Sequence, residues 1–226
     1  MEVFIIGLGG IGSVLSNTLS RYLDSKRTLD STIVNLIDGD SYEPKNLERQ
    51  EFVSFGNKAE VKRMELCDKF TYLSFKSYPS FINEESIKII KEQSVVFLAV
   101  DNHKTRKLVS DYAKKLNDII LISGGNELTD GNVQIFIRKG GNNVTPSLTD
   151  YHPEIEKPKD KSPDEMSCEE LSQSAPQLFF TNFMVAGHMC SAFYNIMEMN
   201  NEKISEVYFD LTTMNSHSKT RVPKNK

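Results

Sequence analysis

Apolar residues enter this chain in two rhythms. Val3–Ile6, Ile33–Ile37, Val95–Val100 and Ile119–Ile122 are short runs rich in Val and Ile, the pattern of strands covered on both faces in a parallel sheet. Ile11–Leu23, Lys58–Phe70, Glu84–Lys91 and His103–Lys115 instead carry apolar residues three and four apart, which predicts helices. Strand and helix alternate, so the first half reads as an α/β, Rossmann-like, three-layer fold.

The rhythm then changes. Val133, Ile135 and Ile137 alternate with Asn132, Gln134 and Arg138, and Val207, Phe209 and Leu211 alternate with Tyr208 and Asp210. Such strands are half buried, and they predict a mixed sheet with a parallel first half and an antiparallel extension. Between Lys139 and Ala175 lies a long loop of Gly, Asn, Pro and charged residues with little periodicity, and loops of that length are usually functional or disordered.

Pro176–Met197 is apolar on nearly every face but is interrupted by Gln177, Thr181, Asn182, His188 and Asn195. Each of these would need a partner in hydrocarbon. The stretch therefore reads as a buried helix crossing the core, not as a membrane span. The tail from Asn215 onward reads as a solvated, frayed terminus.

Composition narrows the class. At 226 residues, 25.7 kDa and 38% hydrophobic, the chain fits one globular domain spanning 1–226, with 139–175 as a loop within it. A formal net charge of −4 offers no positive field for nucleic acid. Cys67, Cys168 and Cys190 are odd in number and lack C-x-x-C spacing, so neither a disulfide framework nor structural zinc is expected. The N-terminus opens on Val3-Phe4-Ile5-Ile6 with no signal-peptide pattern; the expected location is the reducing cytoplasm.

The candidate chemistry begins after the first apolar run. Gly7-Leu8-Gly9-Gly10-Ile11-Gly12 sits between a strand and a helix, where glycines let the backbone approach a phosphate and the helix N-terminus receives its charge. A glycine turn that merely lets helix pack on strand would explain the glycines alone. Asp38, ending the second strand, can accept from ribose hydroxyls, and Asp40 follows it. Arg49 and Lys58 add cations that a triphosphate needs and a dinucleotide does not, with Asn46 beside them; ordinary surface roles are the bland alternative. Asp101 follows the Val95–Val100 run. A carboxylate there can help hold Mg²⁺ together with substrate phosphates, or can cap the next helix.

Taken together, Gly7-x-Gly9-Gly10-x-Gly12, Asp38-x-Asp40, Asn46-Leu47-x-Arg49-Gln50, Lys58 and Asp101-Asn102-x-x-x-Arg106 resemble the ThiF/MoeB-type family, bacterial relatives of the ubiquitin-activating enzymes. Ser172-x-Ser174-Ala175-Pro176-Gln177 is similar to the ThiF-like proteins of mobile-element (PRTRC-type) operons. The resemblance implies ATP-dependent adenylation of the C-terminal carboxylate of a ubiquitin-like or sulfur-carrier protein ending in glycine. It implies that Asp38 holds the ribose, that Asn46, Arg49 and Lys58 contact the phosphates, and that Asp101 helps bind Mg²⁺. Residues 139–175 become its crossover loop, Cys168 an acceptor for the activated acyl group, and a homodimer the expected assembly.

The chain opens directly on its first strand, which speaks against the arginine that relatives lend to a partner's nucleotide from a preceding helix. The segment between Arg49 and Lys58 is short against the family pattern. Two rivals remain at this point: an NAD-dependent oxidoreductase using the same glycines and Asp38, and a non-catalytic nucleotide-binding subunit of an activating complex.

Overall fold

A computed structural model describes residues 1–27, 32–161, 165 and 177–224. Its main sheet contains β1 (Glu2–Ile6), β2 (Thr32–Ile37), β5 (Leu73–Tyr78), β6 (Ser94–Leu98), β7 (Ile119–Asn126), β8 (Asp130–Lys139), β10 (Glu206–Asp210) and β11 (Asn215–Lys219). They lie in the order β11-β10-β8-β7-β6-β1-β2-β5, with β9 (Asn142–Asn143) paired to β8. The five strands from β5 to β7 are parallel, and from the β7–β8 pair outward the sheet is antiparallel. A separate two-stranded ribbon joins β3 (Ser41–Tyr42) to β4 (Gly56–Asn57).

Because both faces of the parallel strands are covered, successive side chains enter two different cores. Val3, Ile5, Val34, Leu36, Val95 and Phe97 meet α1 (Gly10–Ser25), α2 (Lys58–Lys69) and α5 (Phe179–Met197). Phe4, Ile6, Val96, Leu98 and Leu121 meet α3 (His103–Ala113) and the residues around α4 (Pro153–Glu156) on the other face. Ile5 and Phe97 expose nothing, and each such side chain contributes about 1.5–3 kcal/mol relative to exposure. The mixed three-layer architecture is the one the two rhythms predict.

The differences are local. Glu84–Lys91 forms a 3₁₀ turn at Ser86–Ile89 in place of an α-helix. Asn83 Oδ1 accepts from the N–H groups of Glu85 and Ser86, and the three-residue spacing of Ile87 and Ile90, both buried, suits the tighter turn. Strand β8 is covered on both faces, with Gln134 and Phe136 buried alongside Val133 and Ile135, because Val133 and Ile135 pack in the core with α5 and Phe136 in the opposite core with Leu148 and Ile155.

The tail from Asn215 is solvated yet not frayed. All five positions of β11 are exposed, and its backbone pairs with β10 along its length. The described part of the 139–175 loop is also packed: Thr145 Oγ1 accepts from Ile137 N at 2.8 Å and donates to Ile135 O at 2.7 Å, while Leu148 and Ile155 are core residues. Helix α5 buries Val185, Met189 and Phe193, whereas Phe180, Phe183, Tyr194 and Met197 on its other side are exposed. It is a layer helix with an apolar outer face, not a helix buried all round. No described helix is long and apolar enough to cross a membrane.

Candidate active site

Strand order reverses at β1, which pairs with β2 on one side and β6 on the other. In open α/β sheets, ligands bind beyond the carboxyl ends of the strands at such a switch point. All the motif residues within the described chain follow one of these strand ends or the segment that β2 leads into.

Gly7 adopts φ +88°, and a Cβ there would lie 2.7 Å from the Ala99 carbonyl oxygen. The first loop therefore presses against the end of β6, a contact open only to glycine. Gly9 is the N-cap of α1, with no side chain to satisfy the first N–H groups, and Gly10 and Gly12 form its first turn. Bare N–H donors at a helix start suit an anion.

Asp38 has a structural task that its place in the sequence does not reveal. One carboxylate oxygen accepts the Leu8 N–H at 2.6 Å and the other the Asp40 N–H at 2.8 Å, so the carboxylate fastens the glycine loop to the end of β2. Burial pushes its pKa up, while Lys58 and the two backbone donors pull the other way. A carboxylate offers about four acceptor sites, leaving capacity for a sugar hydroxyl.

Lys58 opens α2 behind Asn57, whose side chain accepts from Ala59 N and Glu60 N as a helix cap. The Lys58 ammonium is buried and pairs with the half-exposed carboxylate of Asp40 at 2.7 Å. Asn46 ends a 3₁₀ turn at Pro44–Asn46, and its Oδ1 accepts from Glu43 N at 2.9 Å, so its oxygen is used locally. Its carbonyl accepts from Arg49 N and Gln50 N. That turn aims Arg49 inward, where the buried guanidinium donates through Nη1 to Gln177 Oε1 at 3.2 Å.

At the end of β6 the cap of α3 is Asn102, whose Oδ1 accepts from Thr105 N at 2.8 Å. Asp101 is therefore not the cap, and its carboxylate is exposed. Beneath it lies Arg106, buried, donating to Val100 O at 2.5 Å, Ser123 Oγ at 2.8 Å and Gly124 O at 2.8 Å. Burial brings its pKa down to about 10, against the pull of Asp101 and Asp160. Asp160, from the crossover loop, accepts from His103 N at 2.5 Å and Lys104 N at 3.2 Å, so the loop is attached at the start of α3.

Cys168 and Ser172–Pro176 lie outside the described residues. Cys67 is exposed on α2; Cys190 is half buried, and burial pushes its thiol up to about 12. Two residues outside the motifs, Gln177 and Asn182, reach the site from α5 and the residues leading into it, whereas Thr181 donates to Leu128 O in the turn between β7 and β8. Their signal was present as polar interruptions of an apolar run, and the partners those interruptions demanded are Arg49 and Leu128 O.

The fold, with its motif residues beyond the carboxyl ends of the parallel strands, is that of a doubly wound, Rossmann-like α/β protein. Within that class the chain belongs to the ThiF family, whose model matches residues 1–226. It is similar in structure to E. coli MccB bound to ATP, at 19% identity and TM-score 0.73, covering 97% of this chain and 63% of that one. The microcin C7 biosynthetic enzyme MccB in complex with N-formylated MccA matches at 18% identity and TM-score 0.74, covering 97% and 64%. PaaA matches at 17% identity and TM-score 0.68, covering 97% and 63%. The chain thus spans less than two thirds of these proteins' length. No protein of curated function matches its sequence.

Proposed function

We propose that this chain is an ATP-dependent adenylyltransferase that activates the C-terminal carboxylate of a ubiquitin-like or sulfur-carrier protein ending in glycine. The observation that carries the reading is the charge set around one cleft: bare α1 N–H groups, Arg49 and Lys58, with Asp101 across the end of β6. Membership of the ThiF family and likeness to MccB in its ATP complex support it. A dehydrogenase would have no use for Arg49, Lys58 or Asp101.

In this reading the incoming carboxylate oxygen bonds to the α-phosphorus as the bond to the pyrophosphate oxygen breaks. The chain's part is positioning and charge neutralisation: Arg49, Lys58 and Asn46 hold phosphates, Gly7, Gly9, Gly10 and Gly12 shape the loop beneath them, and Asp38 with Asp40 borders the ribose. Mg²⁺ would be held by Asp101. One exposed carboxylate at a strand end fits the way this ion is held by one or two carboxylates together with phosphates, and no cluster of three acidic, His or Cys residues occurs among the described residues. The ion neutralises developing phosphate charge.

We further assign residues 1–226 to one adenylation domain with 139–175 as crossover loop, place it in the cytoplasm, and give Cys168 the role of acyl acceptor. A homodimer is supported by Phe180 and Phe183, 66% and 53% exposed on the outer face of α5, since such a face is costly in water. Light scattering at micromolar concentration should return twice the 25.7 kDa chain mass; a monomer mass would remove the dimer.

Two measurements test the core of the reading. Mg-ATP should raise the melting temperature and NAD should not, because only a ligand of the folded state stabilises it. Labelled pyrophosphate should exchange into ATP when the carrier protein is present, and Asp101→Ala should abolish that exchange. Exchange undiminished in the variant would remove the metal role from Asp101. A reductant-sensitive adduct with the carrier, present in wild type and absent in Cys168→Ala, is the expected sign of the thiol's role.

A further inference from the structure

Asn182 stands in the first turn of α5 with no exposed surface. Its Nδ2 donates to the Arg49 carbonyl at 3.2 Å. The same amide lies against the glycine loop: a Cβ added to Gly10 would fall 2.2 Å from Nδ2 and 2.8 Å from Oδ1, a clash that only glycine avoids. Gln177, five positions earlier, accepts from the Arg49 guanidinium. Arg49 is therefore held at its backbone and at its head group from one end of α5.

Among the described residues, the Oδ1 atom of Asn182 has no hydrogen-bond partner. A buried amide with an unsatisfied oxygen is unfavourable. Packing alone does not account for an amide here. Its contacts do, since it bridges the two elements that carry the phosphate donors, the start of α1 and the Asn46–Gln50 turn.

We infer that Asn182 is a positioning residue for Arg49, joining the Arg49 backbone to Gly10 so that the α1 N–H groups and the guanidinium form one preorganised anion site. The inference rests on the ATP reading and deepens it, because it makes nucleotide affinity depend on a helix that packs on α1, β7 and β8. A misplacement of about 1 Å in such a donor can cost up to about a hundredfold.

The experiment is calorimetric titration with Mg-ATP, extended to weak binders by competition against a fluorescent ATP analogue. It uses wild type, Asn182→Leu, Asn182→Asp, Arg49→Ala and the double variant Asn182→Leu/Arg49→Ala. Asn182→Leu leaves the Arg49 carbonyl without its donor and should melt somewhat below the wild-type temperature, while binding ATP about tenfold more weakly. Asn182→Asp keeps the shape, loses the donor and adds a negative charge, so it should bind most weakly of the single Asn182 variants.

In the Arg49→Ala background the leucine substitution should change the Kd by less than twofold, the non-additivity expected of residues acting through one another. Asn182→Ala gives the same comparison where leucine proves too large to fold. Wild-type affinity in Asn182→Leu, or the same tenfold loss with and without Arg49, would overturn the inference alone. A wild type that binds NAD but no ATP would overturn the functional reading beneath it.

Discussion

Arg106 and Arg221 are both anchored by oxygens, two strands apart in one row of the sheet, where Glu206 of β10 stands opposite Gln134 and Gln134 opposite Ser123 of β7, but they are anchored in opposite ways. Arg106, under the cleft, is buried and donates to three neutral oxygens, two of them backbone carbonyls at the ends of β6 and β7. Arg221, beyond β11, bonds a carboxylate: its Nε donates to Glu206 at 2.6 Å, and Glu206 also takes Tyr208 and His152. The second cluster cancels its own charge. The first leaves a positive charge facing Asp101 and the cleft, screened by little water, where it favours anions. Arg106 thus makes no contact ion pair of the kind Arg221 makes, and its charge is balanced only at longer range, by Asp101 and Asp160.

The largest expected effect breaks the Arg106 side of this contrast. Arg106→Ala leaves Val100 O and Gly124 O without their donor and should destabilise the protein by about 3 kcal/mol in urea denaturation. Arg106→Lys keeps the charge without the planar fork and should recover only part of it. Arg221→Ala, removing an arginine open to solvent, should cost far less. Equal losses at the two positions would erase the distinction between them.

Next in size is a change to the cleft that spares the fold. Lys58→Met removes the cation that pulls the buried Asp38 carboxyl down, and should weaken Mg-ATP binding about tenfold or more while urea stability falls by less than about 1 kcal/mol. Asp40→Asn, which removes the half-exposed partner of Lys58, should weaken binding less than Lys58→Met. The reverse ranking, read from the same titration, would place the phosphate cation elsewhere.

The two regions also differ in how far the sequence foretells them. Around the cleft the cues are local: β1, β2, β6 and β7 announce themselves as Val- and Ile-rich runs, and the motif residues follow the strand ends directly. Strand β5 went unread because Leu73-Ser74-Phe75-Lys76-Ser77-Tyr78 is an edge strand with only Phe75 buried. Strand β11, Asn215–Lys219, has no buried side chain at all and is held by backbone pairing to β10, which leaves no hydropathy signal. Long-range polar contacts are equally silent: Asn182 meets Arg49 across 133 positions and Asp160 meets His103 across 57. The need for such partners is legible in Thr181 and Asn182, polar residues inside an apolar run; their identity is set only when the sheet brings the ends together.

The smallest expected effect tests the closed cluster through pH. His152 donates or accepts at both ring nitrogens, 2.9 Å from Glu154 and 2.9 Å from Glu206. Burial lowers its pKa, but the two carboxylates outweigh burial and the net shift is upward from 6.5. Burial raises Glu206, and His152 and Arg221 outweigh it, bringing the carboxyl down to about 2 from 4.5. A raised histidine stabilises most below its unfolded value and loses that contribution as pH climbs through the folded one; a depressed carboxylate stabilises above its unfolded value and loses the contribution on the acid side. Both are present together between about pH 4.5 and 6.5. The melting-temperature difference between wild type and His152→Gln should therefore peak in that window and shrink as pH rises and the imidazole becomes neutral. It should shrink again toward pH 2, where Glu206 takes up its proton and Arg221 loses its partner. A difference that stays flat from pH 5 to 9 would mean that the ring serves as a neutral spacer between the crossover loop and β10, and that the charge pairing distinguishing this cluster from Arg106 rests on Arg221 alone.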